Sequence, residues 1–421
     1  MDWARRRLPD SAQGWLRLVV VLAGVATVLK LQIAARTFGS NDVGYFGEFA
    51  EGVREYGPVG IYGHEFPASL YNHGPLAGWL LLAINWVLDH DVTSFPFLIR
   101  VPACLADFGT ALLVFALVRL VRSPREAAAA ALLVVWSPVL FVISGFHGNT
   151  DPVFVMFALL SVYLLVVRGW AFAAGAAFGI AVSIKLVPIV LAPLLVVVVL
   201  RLGWRKVGAF AGGGAVVFLA LWLPVLLSRW QEFREQVLAY GGSALRQWGL
   251  PQFLTWAELT DVAAWLAGSG RFVILLASGL TAAAVVWRRP DALVPAVGLA
   301  FVLFLALSPA FGMQYLAWAL AAAYLVDTRA ATAYNLAASV FVVAVYSDWS
   351  GGPPWRWYDA WAVPFSAGEL VLMVATWVAL AAVGVVGLRS LRGGVAGSTS
   401  ATTPRGRWGL APVDAGYDPR P

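Results

Sequence analysis

Charge and cysteine are scarce in this chain. Of its 421 residues only 12% are charged, and a single cysteine, Cys104, lies within an apolar run. A soluble domain of this length needs far more charge to cover its surface. One cysteine excludes an internal disulfide and any Cys-x-x-Cys metal site. Also missing are a Walker A loop, a GxGxxG following a strand, HExxH and GxSxG, so nothing points to ATP as a driving force or to a soluble nucleotide-sugar fold. Short segments of alternating polarity are absent too, which excludes a membrane β-barrel.

What the chain does have is apolar length. Sixty per cent of it is hydrophobic, with a mean hydropathy of +0.77. The runs are long enough to cross hydrocarbon, and only helices and closed barrels satisfy the backbone there. An all-α polytopic membrane protein is therefore expected. The pI near 9.6 reads as cytoplasmic-loop Lys and Arg under the positive-inside bias, not as a nucleic-acid surface. Arg5-Arg6-Arg7 precedes the first run, and no small-residue cleavage site follows it, so this run is read as a retained span.

Candidate spans lie at 15–35, 97–121, 126–144, 152–167, 170–184, 187–200, 207–227, 271–287, 292–309, 314–326, 331–346 and 364–388, a bundle of about twelve. Those between 152 and 200 are short. A 15-residue helix reaches only about 22 Å, which suits a bundle holding a water-filled cavity. The segment 76–88 is ambiguous. If it does not span, most Lys and Arg fall inside, so it is read as an interfacial or re-entrant helix with both termini cytoplasmic. This gives a cytoplasmic segment 1–14, a membrane domain 15–390, and outer loops at 36–96, 228–270 and 347–363. The Gly-, Ser-, Thr- and Pro-rich tail 391–421 reads as disordered and cytoplasmic. Long loops inside compact membrane proteins tend to be functional, and the first holds three of the four histidines.

Five short runs carry polar groups to the outer side. Asp42 opens the first loop, followed by Tyr45, Glu48, Glu51 and Glu55. A helix over 44–56 puts the glutamates on one face, with Asp42 at the cap; a solvated helix face explains them equally well. Tyr71-Asn72-His73-Gly74-Pro75 leads into 76–88, where Tyr71 and Trp79 also suit a headgroup belt. His147-Gly148-Asn149-Thr150-Asp151-Pro152 reads either as a polar site or as an ordinary turn and N-cap. Lys185 interrupts an apolar stretch of roughly 30 residues, at an insertion cost of about 2.5–3.5 kcal/mol, so it lines a cavity or snorkels to the surface. Gln314 and Tyr315 break a further pair of spans. Asp107, two turns below Arg100, suggests a structural ion pair, and Glu369 reads as a proton relay or a bundle contact.

In this order the runs resemble the GT-C superfamily of polytopic glycosyltransferases. They are most like the catalytic subunit of GPI mannosyltransferase I and the bacterial polyprenyl-phosphate-mannose-dependent mannosyltransferases. The resemblance rests on Asn41-Asp42-Val43-Gly44-Tyr45, on Tyr71 to Leu81, on His147 to Asp151 in place of an Arg-Gly-Asn-Ala-Asp turn, on Lys185 with Pro188, and on Gln314, Tyr315 and Trp318. It implies a polyprenyl-phosphate-linked sugar as donor, with mannose first among sugars, and a glycolipid or glycan acceptor. Transfer would occur with inversion at the outer face, in a multi-pass protein embedded among membrane lipids. Asp42 would be the catalytic base and Lys185 and His147 would steady the phosphate. Asn149, Asp151, Tyr71, His73 and Gln314 would orient sugar or carrier, with Tyr45 and Glu48 beside them. Where the family often has Asp-x-Asp, position 44 is Gly44, which puts a divalent metal in doubt; no other cofactor is implied. The Ala-, Val- and Arg-rich composition with few lysines suggests a high-GC bacterium and its plasma membrane. A transporter or flippase of a lipid-linked glycan is the alternative; it predicts internal pseudo-repeats, and none is visible.

Overall fold

A computed structural model describes residues 11–67, 69–240 and 247–392, with side chains as far as 390. Most of the expected segments 1–14 and 391–421 lie outside these residues. The apolar runs are helices. In chain order they are α1 (Ala12–Arg36), α2 (Asn41–Gly60), α3 (Pro75–Leu88), α4 (Phe95–Val118), α5 (Pro124–His147), α6 (Asp151–Val166), α7 (Ala171–Ile184) and α8 (Val187–Leu202). Then follow α9 (Trp204–Ser228), α10 (Gly249–Trp256), α11 (Thr260–Arg288), α12 (Pro290–Leu307), α13 (Met313–Val326), α14 (Thr328–Trp349) and α15 (Ala367–Arg392). Eight of these are long and apolar enough to cross a membrane, and the remaining four expected spans are the shorter α6, α7, α8 and α13. α3 is also short and apolar, and Pro75 occupies its first turn.

Burial sorts the helices. Every residue of Leu316–Val326 in α13 is buried, as a helix apolar on all sides requires, whereas α1 and α9 keep most of their surface outward. Around α13 pack α12, α14 and α4.

Local chemistry sets the ends that matter. Ser40, not Asp42, caps α2: its Oγ accepts from the Asp42 N–H at 3.1 Å, which moves the helix start three residues ahead of the expected 44 and puts Asp42 in the first turn. α2 bends at Gly57 (φ 76°) ahead of Pro58. Just before α2, the two-residue strand β1 (Gly39–Ser40) pairs in parallel with β2 (Asp359–Ala360), joining the first loop to the third. α5 ends in a wide π turn, Phe141–His147, closed by left-handed Gly148. A Cβ on Gly148 would stand 2.3 Å from Val43 Cγ2, so only glycine lets the two loops approach this closely.

Two expectations need correction. Asp107 does not meet Arg100, because two turns of helix separate their Cα atoms by about 10 Å. Its partner is Lys30 on α1, at 2.6 Å, with both groups sealed in the interior. Arg100 instead donates to the carbonyls of Ala34, Thr37, Pro96, Gly145 and Phe146 and to Thr37 Oγ1, tying the end of α1 to the π turn of α5. The expected span 271–287 matches the stretch Arg271–Arg288 of α11, which a kink at Gly268 separates from the earlier turns of that helix; those turns and α10 lie in the second outer loop. Glu369 accepts from the Ser366 N–H at 2.7 Å and its hydroxyl at 2.8 Å, which makes it a capping residue at the head of α15.

Candidate active site

A cavity of about 1020 Å³ opens where these helix ends converge. Asp42, Tyr45, His73, His147, Asn149, Lys185 and Gln314 all line it, so seven of the ten residues singled out in the sequence share one space. The other three do not reach the wall. Asp151 is fully buried behind it, and Tyr71 is enclosed by Tyr62 and Phe49. Glu48 sits half-buried on α2 with Oε2 unpartnered.

The wall is built as two linked clusters. In the first, Asn149 Nδ2 donates to Asp42 Oδ2 at 2.8 Å. His147 Nε2 stands 3.1 Å from the same oxygen, in ion-pair range but off the line of a hydrogen bond. The other ring nitrogen of His147 meets the Tyr346 hydroxyl at 2.5 Å, which fixes the imidazole from behind. Ser40 Oγ donates to the His147 carbonyl at 2.8 Å while capping Asp42, so one hydroxyl holds both residues in register. Burial pushes the Asp42 carboxyl up, but His147, the Asn149 amide and the Lys185 charge more than offset it and hold the group at about 2. Asp42 is therefore an anion throughout the neutral range.

The second cluster centres on Lys185, in extended backbone between α7 and α8. Its ammonium reaches Asp151 Oδ1 at 2.8 Å and Oδ2 at 3.2 Å. The same carboxylate accepts from Trp318 Nε1 at 2.7 Å. The ammonium also lies 4.7 Å from the Tyr315 ring and 5.2 Å from Trp318. The Asp151 N–H donates to Asn149 Oδ1 at 3.2 Å, so Asn149 bridges the two clusters, one end of its amide on each aspartate.

The cavity also carries groups that had no sequence signal. Arg271 lines it from α11, its guanidinium donating to the Tyr240 and Leu238 carbonyls and making no ion pair among the described residues. Its charge is thus unneutralised. Tyr240 sits beside it, its phenol pushed up to about 12 by burial and then by Tyr315, so it serves as a hydrogen-bonding group and not as a base. His73, against Phe46 at 4.7 Å, has an unpartnered Nδ1, and burial together with the Lys185 charge lowers it to about 3, which keeps the ring neutral. Apolar residues, Phe272, Leu275, Phe304 and Phe311 among them, complete the wall. Among the described residues no group of three or more His, Cys, Asp or Glu side chains is placed to hold a metal ion.

Residues 72–227 match the family described as dolichyl-phosphate-mannose-protein mannosyltransferase. The matched stretch carries His73, His147, Asn149, Asp151 and Lys185, and it begins after Asp42. Among solved structures, the crystal structure of ArnT from Cupriavidus metallidurans bound to undecaprenyl phosphate is similar at 17% identity. That similarity covers 90% of this chain and 77% of that one, with a TM-score of 0.48. No curated protein matches the chain.

Proposed function

We propose that the protein transfers a sugar, mannose first among candidates, from a polyprenyl-phosphate donor to a lipid- or glycan-linked acceptor. Transfer would proceed with inversion, at a cavity open to the outer face of a bacterial plasma membrane and with both termini cytoplasmic. The observation that carries this reading is that one cavity is lined by an ionised carboxylate, Asp42, and by two cations, Lys185 and Arg271. In the step itself the acceptor hydroxyl attacks the anomeric carbon. Its proton passes to Asp42, the new C–O bond forms on one face, and the bond to phosphate breaks on the other. The electron pair leaves with the polyprenyl phosphate, whose growing charge Lys185 and Arg271 stabilise.

A strongly held Asp42 is a weak base, and the chemistry tolerates that. The leaving phosphate is already a stable anion, so bond breaking runs ahead of proton transfer, and the carboxylate is needed mainly to orient the hydroxyl and receive the proton late. His147, Asn149 and Ser40 hold the carboxylate in place, and neutral His73, Gln314 and Tyr45 offer hydrogen bonds to sugar hydroxyls. Divalent metal is not required by this scheme.

The test is transfer of labelled mannose from polyprenyl-phosphate-mannose to membrane-lipid acceptors by the purified protein in nanodiscs. Asp42→Asn is expected to lower the rate by about 10²–10⁴-fold while leaving donor binding intact. Full transfer by that variant removes Asp42 from the mechanism. Movement of the intact lipid-linked sugar across the bilayer without transfer supports the flippase alternative instead. A topology reporter fused after Leu88 is expected on the outer side.

A further inference from the structure

The third loop, between α14 and α15, displays aromatic rings instead of burying them. Trp355 is 83% exposed, Tyr358 63% and Trp361 56%. Their backbone is nonetheless firmly built. Trp357 packs beside Phe146 at 5.2 Å and donates from Nε1 to the Gly352 carbonyl at 2.9 Å. The N–H groups of Phe38 and Gly39 both donate to the Tyr358 carbonyl, at 2.7 and 3.1 Å, and β2 pairs with β1. The loop is thus hydrogen-bonded into the strand that leads directly to Asp42. Trp349, Ala362 and Phe365, which flank or belong to the same loop, line the cavity itself. Rigid rings on a tethered loop bind at a low cost in conformational entropy.

We propose that this loop is the acceptor-binding subsite, and that its ligand is a carbohydrate chain whose sugar rings stack by their C–H faces on the exposed rings of Trp355, Tyr358 and Trp361. This rests on the transferase reading given above. If Asp42 works on the acceptor hydroxyl, the acceptor must arrive on the Asp42 side of the cavity, and the loop fastened to β1 is the rim on that side. The chemistry fits a carbohydrate. Arg356 and Asp359 are interleaved with the rings, the Asp359 carboxylate accepting from Trp361 Nε1 at 3.2 Å, so polar groups for hydroxyls stand next to apolar faces for ring C–H groups. A loop serving only as a bilayer belt needs neither the charges nor the link to Asp42. The apolar wall near Arg271 lies on the donor side, which leaves this rim for the second substrate.

Saturation-transfer NMR on the full chain in nanodiscs, with mannotriose or cellotriose added, tests the assignment. Wild type and Asp42→Asn are expected to transfer saturation to the ring C–H protons of at least one sugar. Combined Trp355→Ala, Tyr358→Ala and Trp361→Ala is expected to cut the signal at least about fivefold, and Trp355→Ala alone about twofold. Monodispersity and thermal protection by undecaprenyl phosphate should be unchanged, which separates lost binding from lost folding. Because Cys104 is buried, Tyr358→Cys gives a second, selectively labelled probe. Its fluorophore should respond to the trisaccharide and not to nitroxide-bearing lipid. A full signal in the triple variant, no signal in the wild type, or quenching of the label by nitroxide lipid without a sugar response overturns the proposal. Trisaccharide binding at the rim without any transfer would sink the transferase reading while leaving the sugar subsite standing. Normal transfer with an unaltered acceptor KM in the triple variant would do the reverse.

Discussion

Two lysine–aspartate pairs lie in this protein, and their surroundings separate them. Lys30 and Asp107 are 2.6 Å apart with side chains 0% and 2% exposed, and the ammonium otherwise faces the Phe141 ring. Lys185 and Asp151 are 2.8 Å apart, but here the lysine is 18% exposed and the aspartate 0%. The first pair is closed at both ends, so all its charge is spent holding α1 to α4. In the second, Asp151 and Trp318 grip the ammonium from behind and turn its free side towards the cavity. The same two residue types thus make a sealed fastener in one place and, in the other, an ammonium that keeps a face on the cavity.

The comparison can be broken by removing one partner at a time. Lys30→Met strands a carboxylate in a dry interior, and the expected loss of stability is about 3–5 kcal/mol, read as a fall in the thermal unfolding midpoint in detergent. Lys185→Met is expected to cost about 10²–10³-fold in transfer rate through loss of phosphate stabilisation, with Lys185→Arg recovering part of it. A midpoint that falls as far as in Lys30→Met would instead make this pair another fastener. The double replacement Lys30→Met with Asp107→Leu removes both buried charges together. It should restore most of the stability and leave the rate within about threefold of wild type, since apolar pairs of similar volume substitute well for sealed ion pairs.

The smallest expected effect is on pH dependence, and it sharpens the contrast within the cavity. His73 holds off its proton until about 3, whereas the unfolded chain takes one up at 6.5. Its neutral form favours folding fully above 6.5, and stability falls as pH drops through that window. Asp42 acts in the same sense, at lower pH. Its folded value of about 2 lies below the ordinary 3.8, so its contribution is complete above 3.8 and is lost only as pH falls through about 2. His73→Gln should therefore flatten the pH dependence of the unfolding midpoint between pH 6.5 and 4; equal slopes in wild type and His73→Gln would show that another group titrates there.

The helices were legible because continuous apolar runs admit little else in lipid, and the positions of Gly148 and Pro75 marked their ends. Lys185 was legible for the same reason, as a lone charge that the surrounding run could not tolerate without a cavity. Partners were not. Asn149 and Asp42 meet across 107 positions, and Trp318 reaches Asp151 across 167, distances at which no periodicity speaks. Tyr346 reads as one more aromatic in a span, and Arg271 reads as a boundary charge at the head of a helix, although the first holds His147 and the second faces the cavity. Asp107 was paired with Arg100 by proximity in sequence, when the residue it needed lay on another helix.

The bridge between β1 and β2 bears on how the protein is made. Gly39 and Ser40 find their strand only in residues 359 and 360, and His147 finds its phenol only in Tyr346. A nascent polypeptide halted at the translocon before those positions would already hold Asp42, His147 and Lys185, but without the latch that aligns them. The alignment of these groups is thus completed only by the last membrane segments to be inserted, and a copy truncated before Tyr346 is expected to lack transfer activity even though Asp42, His147 and Lys185 have been synthesised.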